Sequence, residues 1–190
     1  MGRPSKRDER RAHITAAFAR VLADHGYSGA TIAAVAAEAG VAPGLVHHHF
    51  RDKQDLLASL MDDLIARFRR RLRSREAASP GDRPADPVVA YTDAALALDD
   101  TADVVAARCW VGVLAESVRD PALFRQTRRL IDTEVAAIQR RSAGALSADE
   151  ASAVLAFILG SLVLGAFAPR KTAGFAAPFI RRVLSAIRRR

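Results

Sequence analysis

An all-α fold follows from three observations on this 190-residue chain, half of whose residues are hydrophobic. Apolar residues recur at three- and four-residue intervals along most of its length. No run alternates apolar and polar residues as a half-buried strand does. The periodic segments begin and end on Thr, Asp, Pro and Gly, the residues that start and stop helices. The chain is long enough to bury a real core in one or two domains.

The first helix carries the stripe Ile14, Ala17, Phe18, Val21 and Leu22 and is ended by Gly26. Thr31 caps the second, its hydroxyl accepting an orphan backbone N–H, and Ile32, Val35, Ala36 and Ala39 give that helix its inner face. Gly40 then reverses the chain through the left-handed conformation, and Val41 plugs the corner. Pro43, with its fixed φ and missing N–H, restarts a helix at once and carries it to Phe50. Two short helices about a glycine turn make a helix-turn-helix. Asp52, with Asp55 three residues on, caps a long fourth helix over 53–75 in the manner of a capping box. Its inner face is Leu56, Leu57, Leu60, Leu64, Ile65, Phe68 and Leu72, and its arginines fall mostly outside that stripe as a solvated surface.

EAASPGDRPADP, residues 76–87, reads as a loop and the likeliest domain boundary in composition. Beyond it the periodicity predicts helices at about 88–98, 102–118, 121–141, 148–168 and 174–189. The segment 152–169 carries no charge and approaches the length of a membrane span. Ser152, Gly160, Ser161 and Gly165 dilute it, and a helix apolar all round is equally at home between protein helices. A soluble protein with no membrane partner is the expectation.

Net charge is +8, and residues 1–75 carry 14 Lys/Arg against 8 Asp/Glu, which places +6 of it at the N-terminal end. Such a footprint suits an anionic partner, although a solvated basic surface gives the same sum. The single Cys109 excludes an intrachain disulfide and a cysteine-based zinc finger and suits a reducing compartment. No signal-peptide pattern follows the basic N-terminus. The expected location is the cytoplasm.

Residues 8–57 resemble the DNA-binding domain of TetR-family transcriptional regulators. The features shared are Gly26-Tyr27 after the first helix, Thr31 opening the second, Ala39-Gly40-Val41, Gly44 in the next helix, Phe50 closing it, and Lys53 with Leu56 opening the fourth. Within the family the wording of 31–57 is most similar to the BetI-like branch, repressors that respond to choline. The resemblance implies residues 1–52 as the DNA-binding domain, with helix four as the link. It further implies that 53–190 form a helical domain that binds a small-molecule effector and pairs two protomers.

In that family the second helix of the motif enters the major groove. Pro43, Gly44 and Leu45 then face the groove, Gly44 permitting close approach. His47 and His48 donate to phosphates or to base acceptors such as guanine N7, and His49 lies near the backbone. Lys53 and Thr31 reach phosphates, which position the protein without reading sequence. Arg3, Lys6 and Arg7 either form a minor-groove arm or are a solvated terminus. Two departures stand out: Ala42 replaces the usual Ser, removing a cap, and His47 and His49 replace tyrosines. Operator affinity is therefore expected to weaken between about pH 6 and pH 8 as imidazolium is lost. Three consecutive histidines point about 100° apart on a helix and do not make a metal site. No metal and no cofactor are expected.

The resemblance leaves the effector as choline or another cationic or hydrophobic compound. Aromatic faces with a carboxylate suit a quaternary ammonium, and the candidates are Phe68, Tyr91, Trp110, Glu116 and Phe124. The apolar surface of the last two helices exceeds what one chain covers, so Leu155, Leu159, Leu162, Phe179, Val183 and Ile187, together with Phe175, are expected at a homodimer interface. A two-fold dimer reads a pseudo-palindromic double-stranded operator with half-sites one helical turn apart. Three classes of function remain: a ligand-responsive repressor, an architectural DNA-binding protein without effector, and a small helical enzyme. The long C-terminal domain argues against the second. The absence of any acid–base or nucleophile constellation argues against the third.

Overall fold

The computed structural model describes residues 5–77, 86–96, 104–168 and 176–187, and all its regular structure there is helical. In chain order the helices are α1 (Lys6–Gly29), α2 (Ile32–Ala39), α3 (Pro43–His49), α4 (Lys53–Ala77), α5 (Pro87–Leu96), α6 (Val104–Ser117), α7 (Pro121–Arg141), α8 (Ala148–Phe167) and α9 (Ala176–Ile187). Arg3, Phe175 and the expected helix ends at 97–98, 102–103, 174–175 and 188–189 lie outside the described residues, as does most of the 76–87 loop.

Local chemistry sets most of the boundaries. Ser5 and Asp8 form a full capping box on α1, and Ser147 and Glu150 form another on α8. Asp120 opens α7 by accepting from the N–H groups of Ala122 (2.8 Å) and Leu123 (3.1 Å). These bonds hold its carboxyl below the usual range. Gly26 does not end α1 outright: with φ 68° and ψ 177° it kinks the helix, which continues to Gly29. At α4 the Asp55 N–H bonds Asp52 Oδ1 at 2.8 Å, but the Asp55 carboxylate reaches back to the Arg51 N–H at 3.1 Å rather than to Asp52.

Two hydrophobic clusters organise the packing. The first joins α1, α2, α3 and the N-terminal half of α4 around Phe18, Val35, Val46, Phe50 and Leu60, and it takes in Cys109 and Val113 of α6. Cys109 is a fully buried core residue whose thiol donates to the Ala19 carbonyl oxygen at 3.3 Å. The second gathers Leu72, the inner face of α5, Ile138, α8, and Ile180 and Leu184 of α9. Helix α4 therefore serves both clusters, the first through Leu56, Leu57, Leu60, Met61 and Leu64 and the second through Phe68 and Leu72.

α8 is long and apolar enough to cross a membrane by length and composition. Its Val154, Leu155, Ile158 and Ser161 are buried against protein, while Val163, Leu164 and Phe167 are exposed on the single chain, Phe167 at 80 %.

Candidate nucleic-acid interface and effector cavity

The helix-turn-helix is assembled from its caps inward. Thr31 Oγ1 accepts from the Ala34 N–H at 3.1 Å, which uses acceptor capacity and leaves the hydroxyl proton able to donate. Gly40 adopts φ 63°, ψ 38° at the end of α2, and the Val41 N–H reaches the Ala36 carbonyl at 3.0 Å. That left-handed turn is where glycine has its advantage over any residue with a Cβ. Ala42 occupies the N-cap of α3 with no side-chain hydrogen bond, and Pro43 sits in the first turn.

α3 presents two faces. Val46 and His49 are buried, while Pro43, Gly44, His47 and His48 are exposed and Leu45 is half-buried. Gly44, His47 and His48 share one face at i, i+3 and i+4. A Cβ added at Gly44 would meet nothing within 4 Å, so the protein leaves open space there. His49 departs from the other two histidines. Its ring is buried, with Nδ1 lacking a hydrogen-bond partner among the described residues, and it packs edge-on to His48 at 5.2 Å. Desolvation, then the positive fields of His48, Arg7, Arg11 and Arg10, hold its pKa below the usual imidazole value.

Lys53 opens α4 beside Tyr27. Its ammonium donates to the Tyr27 carbonyl oxygen and lies 4.0 Å from the centre of the Tyr27 ring. Burial lowers its pKa, and Glu116 on α6 acts in the opposite sense. An ammonium has three donors, so one backbone bond leaves capacity for a phosphate. Nearby, Gln54 Nε2 donates to Asp120 Oδ2 at 2.7 Å, joining the start of α4 to the start of α7. Glu116 therefore belongs to this joint, where it also helps burial raise the Tyr27 pKa.

A cavity of about 90 Å³ lies within the C-terminal helices. Phe68 and Arg71 of α4, Tyr91 of α5, Trp110 and Leu114 of α6, Thr127, Ile131 and Glu134 of α7, and Leu155, Leu159 and Leu162 of α8 are among its walls. Phe68 and Tyr91 meet edge to face at 5.0 Å. The Tyr91 hydroxyl donates to Glu134 Oε2, and the Arg141 guanidinium lies 5.5 Å from the Tyr91 ring centre. Burial first, then the bond and charge of Glu134, push the Tyr91 pKa far up, so it is a permanent hydrogen-bond donor.

Of the five pocket residues expected from sequence, the cavity brings together Phe68, Tyr91 and Trp110. Glu116 and Phe124 do not line it, Phe124 being 49 % exposed on α7. The carboxylate in the cavity is Glu134 instead. A signal for it was present: with Thr127, Leu130 and Ile131 it falls on the inward stripe of α7, where a carboxylate is out of place unless it has a partner. Leu155, Leu159 and Leu162, expected at a dimer interface, face the cavity. The outward apolar residues of α8 are Val163, Leu164 and Phe167. A helix apolar on all sides has no periodicity from which to tell its inner face from its outer one. On α9, Phe179 is exposed and stacks on Phe157 at 5.0 Å, Val183 and Ile187 are half-buried, and Ile180 and Leu184 are the buried pair.

Comparison with known proteins agrees with this architecture. The family model described as "Bacterial regulatory proteins, tetR family" matches residues 14–60. The HTH-type transcriptional regulator BetI of Burkholderia cenocepacia strain HI2424 is 30% identical over 177 residues, covering 88% of each chain. Among solved structures, a transcriptional regulator from Rhodococcus sp. Rha1 superposes with a TM-score of 0.77 at 23% identity, over 93% of this chain and 95% of its own. The multidrug binding protein EbrR, complexed with imidazole, superposes with a TM-score of 0.66 at 23% identity, over 94% and 89%. With a helix-turn-helix in place and a relative matching along nearly its whole length, the chain belongs to the TetR family of bacterial regulatory proteins: it is a DNA-binding transcriptional regulator, not an enzyme.

Proposed function

We propose that the chain is a cytoplasmic repressor that binds a pseudo-palindromic operator as a homodimer and releases it when a small molecule fills the cavity. The observation that carries this reading is the open face of α3, where Gly44, His47 and His48 are exposed together while Val46 and His49 anchor the helix. In this reading residues 1–52 are the DNA-binding unit and 53–190 the effector and pairing unit, with α4 shared between their cores. Pro43, Gly44, Leu45, His47 and His48 meet the groove. Thr31 and Lys53 hold phosphates, and His49 sets the helix against the body.

The exposed Val163, Leu164, Phe167 and Phe179 supply the pairing surface, with Val183 and Ile187 beside it. Large apolar side chains left exposed on two helices suit an interface, and a two-fold one is self-complementary. Covering it with a second copy gives α8 a protein environment rather than a lipid one. For the effector, the walls Phe68, Tyr91 and Trp110 with the carboxylate of Glu134 suit a small organic cation, and BetI relatives make choline the first compound to try. The ligand shifts the equilibrium only by binding the DNA-incompetent arrangement more tightly.

Selection of bound duplexes from random DNA, followed by titration of choline into the complex, tests the reading. The expected result is a two-fold symmetric site released by the ligand. A selection that returns no preferred sequence would count against a sequence-specific regulator. Release by choline that persists unchanged in Glu134→Gln would remove the cation assignment.

A further inference from the structure

The groove-facing helix is thinly anchored. α3 has seven residues, of which Val46 and His49 are buried. Its N-terminal end is fixed by the chain itself, through the left-handed Gly40 and the Val41 bond to Ala36. Its C-terminal end has carbonyls without intrahelical donors, as every helix does. There a donor arrives from α1.

Arg11 donates through Nη1 to the carbonyl oxygen of His49. Its guanidinium carbon lies 4.2 Å from the centre of the Phe50 ring, the residue that closes α3. Nη2 stands 3.9 Å from Asp55 Oδ1 in the first turn of α4, and the other Asp55 oxygen holds the Arg51 N–H. One planar cation thus ties the end of α3, the residue after it and the start of α4 to the first helix. The chemistry is particular to arginine, which offers a rigid donor fork, a flat face for stacking and weak hydration. A positive charge is also favoured at a helix C-terminus.

Charge alone would group Arg11 with Lys6, Arg7 and Arg10, which are exposed. Its donors are instead turned inward, and its side chain is 31% exposed. We infer that Arg11 is a positioning residue, not a phosphate contact: it fixes the angle at which α3 presents Gly44, His47 and His48, and so governs discrimination between operator and random DNA. The inference rests on the DNA-binding reading above.

The test uses the full chain and its R11A and R11K variants. Fluorescence anisotropy is measured on the selected operator and on a scrambled duplex of equal length, across a salt series, with thermal melts by circular dichroism. R11A is expected to lose about tenfold in operator affinity, the scale of one misread base pair, while scrambled-duplex affinity stays within about twofold and the salt slope holds. R11K keeps the charge without the fork or the flat face, so its operator-to-scrambled ratio should fall with that of R11A.

Equal losses on both duplexes with a salt slope smaller by about one would make Arg11 a phosphate contact. A wild-type ratio in R11K would reduce its role to charge, and an unchanged ratio in R11A would remove the role. Each result overturns the inference. If R11A does not melt as a folded protein, the R11K ratio decides by itself. A wild type that binds neither duplex fails the regulator reading, a result distinct from a wild type that discriminates and an R11A that discriminates equally well.

Discussion

The helix-turn-helix and the cavity-bearing half are both helical, but they are held in different ways. Around α2 and α3 the elements are short and their ends are specified: Thr31 caps, Gly40 turns, Pro43 restarts, and Arg11 and His13 of α1 each bond a carbonyl at the end of a neighbouring helix. The C-terminal half gathers Leu72, the inner face of α5, Ile138, α8 and two residues of α9 into an apolar cluster, and it keeps a void beside it. The lesson is a division of labour. A surface that reads DNA must hold backbone geometry at fixed angles, whereas a chamber that accepts a ligand needs apolar walls with room left between them.

The largest test of that contrast is a matched pair of truncations. Phe50, 1 % exposed, lies in the first core beneath Arg11. Phe50→Ala should cost about 3–5 kcal/mol and abolish operator binding. Leu159 already faces the cavity, so Leu159→Ala should cost no more than about 2 kcal/mol, the low end for such changes, and leave DNA binding intact. Chemical denaturation and anisotropy on the same samples check both, and equal costs would erase the distinction.

Tyr91→Phe probes the polar spot of the chamber. Losing the hydroxyl leaves the Glu134 carboxylate without its donor, at a cost of about 1–2 kcal/mol. Effector affinity should change while operator affinity without effector does not, which paired titrations would reveal. A smaller effect, of opposite sign, comes from the turn. Ala42 is an N-cap without a side-chain bond, so Ala42→Ser should stabilise the chain by about 1 kcal/mol, read as a shift in the denaturation midpoint.

The smallest effect concerns protonation. Desolvation places the folded pKa of His49 below its ordinary value of 6.5. The folded state then binds fewer protons than the unfolded one, so the stability owed to this group is complete above about 6.5 and declines as pH falls toward the folded pKa. Denaturation midpoints between pH 5 and pH 7 should show this slope, and His49→Asn should reduce it.

Legibility followed the range of the signal in both halves. Pro121–Arg141 and the start of α8 at Ala148 fall where the sequence puts them, because Asp120-Pro121 and Ser147 with Glu150 are local signals. The Thr31 cap, the Gly40 turn and the Pro43 restart were legible for the same reason. Glu116 was not: it reads as a partner for the aromatic residues, yet it sits at the Lys53 joint. Arg11 was invisible among basic neighbours, since its partner carbonyl is 38 residues away.

By itself, then, the sequence determined where the capped helices begin, and that two of them make a helix-turn-helix, because capping and turn chemistry act within a few residues. Only the tertiary structure decided which side of α8 lines the cavity, which carboxylate meets Tyr91, and which cation clasps α3. Those outcomes depend on how a helix is rotated about its own axis and on contacts between distant segments, and a uniformly apolar helix or a run of arginines carries no local record of either.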